Sequence, residues 1–193
     1  MSVQFAGLPT TTESITRAVL RIAGEHGMSA VRYDEFPFVH DMASRLMDHD
    51  VSSVETFRAV QAIQPASSLC YREDGVVTGV LGLLLLRATA LDQLMHGTFD
   101  GKDIDFDLLS RGAERPAVGY AWGIAATSRT AGAAVTAFSG PLGEGATGGI
   151  TFVARAVTEV GRHVALTRFG FRPLRHPDDD MLISYPAVME AAE

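Results

Sequence analysis

A strand, a short turn and a helix of small residues follow one another between Gly119 and Phe138, in the sequence GYAWGIAATSRTAGAAVTAF. The turn contains Arg129-x-x-Gly132-x-Ala134. The first N–H groups of a helix have no partner within the helix, and the helix dipole adds partial positive charge there. Small residues let a phosphate group approach that backbone closely. The segment predicts a phosphate-binding helix start, although a tightly packed strand–helix turn with a solvated Arg129 would give the same pattern.

Length and charge limit the classes of protein to consider. A chain of 193 residues favours one domain over 1–193, and a formal net charge of −7 argues against a nucleic-acid partner. Cys70 is the single cysteine, which excludes an internal disulfide and favours a cytoplasmic location. The N-terminus has no signal-peptide pattern, and the longest apolar run, Val76–Leu86, is too short for a membrane-spanning helix. We therefore expect no membrane association.

The spacing of apolar residues predicts an N-terminal part, 1–65, that is mainly helical. A first helix starts near Thr11, where Thr10 and Glu13 have capping-box spacing, with the frame one or two residues later as an alternative. A short strand over Ala30–Phe36 and a helix opened by Pro37 follow. A third helix is predicted over Ser53–Gln64.

The remainder of the chain predicts a mixed sheet with helices on both faces. Asp74-Gly75 between two apolar runs is a strong hairpin signal. The polar segment 97–116 is predicted to be a surface insertion near a substrate mouth. The other expected elements are a helix at Ala88–His96, strands at Val118–Ala125, Ile150–Ala156 and Met181–Tyr185, and helices at Thr130–Phe138 and Thr158–Phe169.

These features together resemble the GNAT superfamily, the acyl-CoA-dependent N-acyltransferases. Arg129-x-x-Gly132-x-Ala134 is similar to the family's Q/R-x-x-G-x-G/A pyrophosphate signature and stands in the same strand-to-helix context. The segment Thr158–Leu174 resembles the family's late helix, which ends in a Gly-Phe pair. The resemblance covers roughly Val76–Tyr185 and implies an α/β (α+β) fold with a mostly antiparallel sheet.

The resemblance also implies where an acyl-CoA, acetyl-CoA or a longer one, would bind. In this fold two neighbouring parallel strands splay apart, and the pantetheine arm lies between them. The residues implied for the arm and the thioester carbonyl are Ile124, Ala125 and Ala126. Those implied for the pyrophosphate are Arg129, Thr130, Ala131, Gly132, Ala133 and Ala134.

The implied reaction is direct attack of a small-molecule amine on the thioester, for which a base or a water chain must remove a proton. Glu35 and Asp41 are candidate bases, Tyr120 and Trp122 are candidates to face the acceptor, and ordinary surface or core roles would explain all four. Members of the family often have a tyrosine four residues before the glycine of the Gly-Phe pair, as the general acid. This chain has Leu166 there, so the acid is unassigned, and His163 one turn earlier is the candidate substitute.

Other polar clusters predict no metal site. His40 and His49 are nine residues apart and fall on different parts of a helical wheel, so we expect them, with Asp41 and Asp48, to be solvated. Asp103, Asp105 and Asp107 either attract a cationic amine or simply solubilise a loop.

Two other functions compete with amine acylation. Leu166 favours a non-catalytic GNAT-like module that binds acyl-CoA or another small ligand. An unrelated nucleotide-binding α/β domain is the third possibility, although the chain has neither G-x-x-x-x-G-K-[ST] nor G-x-G-x-x-G after a strand. A homodimer is compatible with any of them.

Overall fold

A seven-stranded mixed sheet runs through the centre of the computed structural model, which describes residues 10–47, 51–142, 146–147, 149–176 and 178–184. The strands are β1 (Met28–Ala30), β2 (Ser68–Glu73), β3 (Val76–Leu86), β4 (Val118–Ala126), β5 (Phe152–Arg155), β6 (Arg172–Pro173) and β7 (Met181–Ser184). The helices are α1 (Thr12–Glu25), α2 (Phe36–Leu46), α3 (Val54–Ile63), α4 (Ala88–His96), α5 (Arg129–Pro141) and α6 (Glu159–Arg168).

The strand order is β1-β2-β3-β4-β5-β7-β6, and only the β4–β5 pair is parallel among these seven strands. The hairpin between β2 and β3 turns at Asp74 and Gly75, both of which have positive φ, 52° and 81°. A two-residue turn of this kind matches the twist of the flanking strands. The structure thus confirms the mostly antiparallel mixed sheet that the sequence predicts.

The central strand β3 supplies apolar side chains to both faces of the sheet. Leu81 packs on one face with Ile15 of α1 and Phe138 of α5. On the opposite face, two adjoining clusters bring in Val39 of α2, and Val60 of α3 with Leu94 of α4. Helices therefore cover both faces, which explains why β3 is apolar throughout rather than alternating.

Helix starts follow the predicted chemistry with small shifts. The capping box of α1 pairs Thr11 with Ser14, one residue later than Thr10 and Glu13. The predicted strand over Ala30–Phe36 is wrong, because strand pairing ends at Ala30 and residues 32–35 form a turn closed by the Glu35 N–H and the Arg32 carbonyl, 3.0 Å apart.

The segment 97–116 is more buried than the predicted surface insertion. Its apolar side chains Phe99, Ile104 and Leu108 are buried in the core beside α4. The amide of Gln64 donates to the carbonyls of Leu85 and Ser110 at 2.7 and 2.8 Å, which fixes the segment to β3. Most of its charged residues, together with Thr98, Phe106 and Ala113, are exposed.

The C-terminal part contains an element that was not predicted. After α6, Gly170 adopts a positive φ of 66° and the chain returns as β6, two residues that pair with β7. Two residues are too few to give a periodic pattern. The predicted last strand is confirmed over Met181–Ser184, and its final residue, Tyr185, lies outside the described residues. No helix in the described part of the chain is long and apolar enough to span a bilayer.

Candidate functional site

The parallel pair β4–β5 is joined over only three residues of each strand. Pairing runs from Gly119 opposite Phe152 to Ala121 opposite Ala154, whereas β4 continues to Ala126. Beyond Ala121, β4 pairs with β3 alone among the described strands. Pairing thus ends at Ala154, one residue before β5 itself ends at Arg155, and this register is compatible with the implied separation of the two strands.

A β-bulge lies where the two strands part. Leu83 pairs with Ala121 and Gly82 pairs with Gly123, so that Trp122 is an extra residue in β4. A bulge bends its strand and increases the local twist. The bulge at Trp122 thus gives a local reason for β4 to turn away from β5.

The orientation of the β4 backbone separates the predicted cofactor residues into two groups. The Thr127 N–H donates to the Thr78 carbonyl at 2.8 Å, on the β3 side. Because successive backbone groups of a strand alternate in direction, the amide of Ala125 also faces β3, and those of Ile124 and Ala126 face the unpaired edge. Ala125 is buried as well, whereas 44% of Ile124 is exposed.

The helix α5 begins directly after this edge. Ser128 is its N-cap, and the Ser128 hydroxyl accepts a hydrogen bond from the Ala131 N–H at 3.0 Å. The first bond within the helix runs from the Gly132 N–H to the Ser128 carbonyl. The N–H groups of Arg129 and Thr130 are consequently the ones left for a ligand, whereas that of Ala131 is already bound.

The side chains at this helix start leave room for an anion. Arg129, Thr130 and Ala133 are exposed, and Arg129 forms no ion pair with any residue in the described ranges. A Cβ added to Gly132 would meet only the Ala126 Cβ, at 3.8 Å. The protein's own packing therefore does not require glycine there.

A carboxylate of the protein lies beside the same helix start. The Ser128 hydroxyl donates to Glu73 Oε2 at 2.6 Å. This hydrogen bond, assisted by others from threonine hydroxyls, holds the pKa of Glu73 below its usual value, so the group is an anion at neutral pH. Any diphosphate at α5 has to bind next to this charge or displace it. Glu73 was not among the predicted site residues, because it precedes Ser128 by 55 residues and no local pattern connects the two.

A cleft of about 720 Å³, open mouth included, adjoins the point where β4 and β5 part. It lies on the face of the sheet covered by α2 and α3. Most of its lining is apolar: Val31, Val39, Ala43, Met47, Val51, Phe57, Leu69, Val80, Leu81, Trp122 and Val157, with Ser52, Ser68, Gly82, Gly101, Lys102, Tyr120, Gly123 and Arg155 completing it.

One wall of the cleft is held by aromatic contacts and a hydrogen bond. The rings of Phe57 and Trp122 have centroids 4.7 Å apart. The indole Nε1–H of Trp122 donates to the carbonyl of Gly101 at 2.7 Å, and so does the hydroxyl of Ser52 at 3.0 Å. The bulged residue is thereby tied to the segment 97–116, which contributes Gly101 and Lys102 to the cleft.

The charged residues in the lining of the cleft are cationic, and carboxylates lie close to them outside the lining. Asp100 is one of these, since its pKa is lowered mainly by a hydrogen bond from the Lys102 N–H and also by the charges of Arg155 and Lys102. Lys102 and Arg155 line the cleft, and none of its described lining residues is acidic. Arg155 Nε lies 3.4 Å from Asp180 Oδ2, outside the lining. Asp103, Asp105 and Asp107, which were candidates for attracting a cationic amine, do not line the cleft either.

Glu35 lies in an ion-pair cluster rather than at the cleft. Its carboxylate oxygens accept from Arg72, with Nε 2.9 Å from Oε1, and the Arg32 N–H donates to Oε2 at 2.8 Å. The hydrogen bond from Arg72 is the main reason why the pKa of Glu35 lies below its usual value. Glu35 is poorly suited to act as a general base, because it is buried, is paired with two arginines and has a lowered pKa that disfavours uptake of a proton. We therefore do not retain Glu35 in that role.

Glu35, Asp41 and His163 do not line the cleft, whereas Trp122 lines it together with the fifth candidate, Tyr120. Tyr120 is 4% exposed, and its ring packs against Phe99 with centroids 4.9 Å apart. His163 is exposed on α6, and Leu166, in the position of the family's tyrosine, is half-buried. The structure does not bring His163 and Tyr120 to the same cleft.

Cys70 has no part in this site. Cys70 is fully buried, and burial raises the pKa of its thiol to about 11. Within the described ranges no three His, Cys, Asp or Glu side chains are grouped so as to hold a metal. Asp48 and His49 lie outside those ranges.

Two solved structures are similar to this chain. The first is "GphF GNAT-like decarboxylase in complex with isobutyryl-CoA", with a TM-score of 0.51 and 14% identity over 72% of this chain and 70% of that chain. The second is a histone acetyltransferase HPA2 and related acetyltransferase from Corynebacterium glutamicum, with a TM-score of 0.50 and 16% identity over 83% of this chain and 96% of that chain. No protein-family model matches the sequence, and no curated protein is significantly similar to it.

The comparisons and the topology agree on the architecture. A mostly antiparallel sheet, one parallel pair that separates at a bulge, and a helix starting after the separated strand are present in this order along the chain. The identities are low, so the likeness concerns the fold. The chain has the fold of the GNAT superfamily.

Proposed function

We propose that the protein is an acyl-CoA-dependent N-acyltransferase that transfers an acyl group, acetyl in the simplest case, to a small-molecule amine in the cytoplasm. The observation that carries the proposal is the unpaired edge of β4, which leads directly into the start of α5. One structural neighbour is described with isobutyryl-CoA and the other as an acetyltransferase. Both descriptions support an acyl-CoA as the ligand.

The two parts of the site suit two parts of that ligand. The backbone groups of Ile124 and Ala126 face the unpaired edge and would pair with the amides of the pantetheine arm, as an added strand does. The N–H groups of Arg129 and Thr130 and the Arg129 guanidinium would bind the diphosphate through charge-assisted hydrogen bonds. Gly132 would let the diphosphate approach the helix closely.

The chemistry then depends mainly on positioning. An amine held against the thioester carbon attacks without a covalent enzyme intermediate, and proximity supplies much of the rate. The Ile124 N–H, which faces the unpaired edge, would stabilise the negative charge that develops on the thioester oxygen. Tyr120 is the titratable predicted residue that lines the cleft. We assign it to proton transfer with the acceptor amine or the leaving thiolate.

Calorimetric titration with CoA and acetyl-CoA tests the proposal, and Arg129→Ala is the diagnostic variant. Loss of a hydrogen-bonded charge at a phosphate amounts to about 1.5–3 kcal/mol, so we expect CoA affinity to fall roughly 10- to 100-fold. Arg115→Ala, an exposed arginine before the opposite end of β4, is the matched control and should bind normally. Absence of CoA binding to the folded wild type, or equal effects of the two substitutions, would refute the proposal.

The second candidate is a non-catalytic module that binds acyl-CoA. Leu166 in place of a general acid favours it. One neighbour is described as a decarboxylase and the other as an acetyltransferase, and one fold hosts several reactions. Steady release of CoA from acetyl-CoA in the presence of a panel of amines would eliminate the non-catalytic candidate. Tight acyl-CoA binding without CoA release would support it.

A further inference from the structure

A buried hydroxyl in the cleft has no hydrogen-bond partner. Ser68 lines the cleft and is 6% exposed, and its Oγ forms no hydrogen bond with any residue in the described part of the chain. Burying a hydroxyl without a partner costs free energy, so such groups are few in native proteins. A ligand atom in the cleft would satisfy it.

Ser68 lies on a line of small residues that crosses the sheet. The register places Ser68 of β2 opposite Gly82 of β3, and Gly82 opposite Gly123 of β4. Two strand spacings separate the ends of this line, about 10 Å in all. Neither glycine contributes a side chain to this line, and Trp122 borders its middle, because a Cβ at Gly82 would lie 3.1 Å from the Trp122 Cβ. Ser68, Gly82 and Gly123 all line the cleft, and we call the part of the cleft along them the trough.

The trough has an apolar roof and walls. A Cβ on Gly123 would lie 3.4 Å from Met47 Cε and Sδ, so the end of α2 covers that end of the trough. Ala43 and Val39 of α2 line it farther along, and Val80 of β3 lines it from the sheet. The charged lining residues, Lys102 and Arg155, are both cationic and no described lining residue is acidic, so the lining itself offers no carboxylate to a cationic chain.

We propose that the cleft binds an elongated, mainly apolar chain whose uncharged polar group hydrogen-bonds to Ser68 Oγ, with the reacting end of the chain at Gly123. The inference rests on the proposed function for the identity of the reacting end. The chain belongs either to the acyl group or to the acceptor amine. In both cases the substrate class is an uncharged medium-length chain with a terminal hydroxyl or carbonyl, rather than a lysine side chain or a polyamine.

The first arm of the test uses pantetheine thioesters, which lack the diphosphate and therefore do not need the α5 site. Dissociation constants are measured for acetyl-, hexanoyl- and 6-hydroxyhexanoyl-pantetheine. If the chain is the acyl group, the hexanoyl probe binds on the order of tenfold or more tighter than the acetyl probe, because four methylenes leave water. The hydroxyl adds a further gain of about threefold to tenfold, which Ser68→Ala removes.

Ser67→Ala is the matched control. Ser67 is the neighbouring serine, is 1% exposed, and its Oγ also has no hydrogen-bond partner in the described ranges, but it faces a separate small cavity with Val19, Leu83 and Leu85. This variant should bind all probes as the wild type does. Ala43→Leu, which fills the trough, should abolish the preference for hexanoyl, and Ala137→Leu on the exposed side of α5 should not.

The second arm uses acetyl-CoA with ethylamine, hexylamine, 6-amino-1-hexanol and spermidine. If the chain is the acceptor, 6-amino-1-hexanol has the lowest KM, and Ser68→Ala raises that KM alone. A preference for spermidine, no dependence on chain length in either arm, or equal effects of Ser68→Ala and Ser67→Ala would overturn the inference. If the pantetheine probes bind and CoA does not, the diphosphate site at α5 is refuted and the proposed chain-binding site at Ser68 is retained.

Discussion

Gly132→Ala separates a role in folding from a role in binding at the start of α5. In the protein itself the new methyl group would have one neighbour, the Ala126 Cβ at 3.8 Å, which is ordinary van der Waals contact. Alanine is favoured over glycine within a helix by up to about 1 kcal/mol. We therefore expect the free energy of unfolding to stay the same or to rise by that amount, which corresponds to about 2–4 °C in Tm for a chain of this size.

The effect on CoA binding should have the opposite sign. The methyl group would stand where the diphosphate approaches the helix, and it would lengthen or remove one of the charge-assisted hydrogen bonds to the backbone. Such a bond is worth about 1.5–3 kcal/mol, which corresponds to a loss of affinity of roughly 10- to 100-fold. Thermal unfolding and calorimetric titration on the same preparation measure both quantities.

Gly140→Ala provides the matched control within the same helix. A Cβ at Gly140 would meet nothing within 4 Å, and the residue lies at the other end of α5. This variant should be as stable as Gly132→Ala or more so, and should bind CoA normally. If Gly132→Ala also binds CoA like the wild type while its Tm is unchanged, the diphosphate does not approach this turn, and the reasoning about the helix start is refuted.

Two further predictions concern carboxylates. Glu73→Gln should tighten CoA binding several-fold at low salt, because it removes a negative charge next to the diphosphate, and this gain in affinity should shrink at high salt. Asp74→Asn, in the same hairpin, is the control. Unchanged or weaker CoA binding by Glu73→Gln would contradict the prediction. Glu35→Gln should lower the free energy of unfolding by about 2–4 kcal/mol near pH 7, since it breaks the pair with Arg72. The pKa of Glu35 in the folded protein lies below the ordinary 4.5, so this contribution is present above that pH and is lost as pH falls through the folded pKa. Urea unfolding measured from neutral to acidic pH should show the unfolding free energies of the wild type and Glu35→Gln converging as the pH falls. Glu13→Gln, which removes a carboxylate from an exposed ion pair, is the control and should have nearly the wild-type free energy at every pH.

Local chemistry made much of the fold predictable from the sequence. The Asp74-Gly75 turn, the apolar run of β3 and the capping box before α1 act on neighbours a few residues away, so they can be recognised from the sequence alone. The strand-to-helix step at Ser128 belongs to the same class. The failures, such as the strand predicted over Ala30–Phe36 and the missing β6, lie where short segments depend on distant partners.

The properties of the site depend on contacts between distant parts of the chain. The parting of β4 from β5, the carboxylate of Glu73 beside α5 and the line from Ser68 to Gly123 each join residues on separate strands or elements. Local propensity carries no information about them, because sheet register and strand twist place side chains from different segments together. The sequence alone therefore determined the order of elements and the helix start, whereas tertiary packing decided what charge faces that start and what shape of chain the cleft can hold.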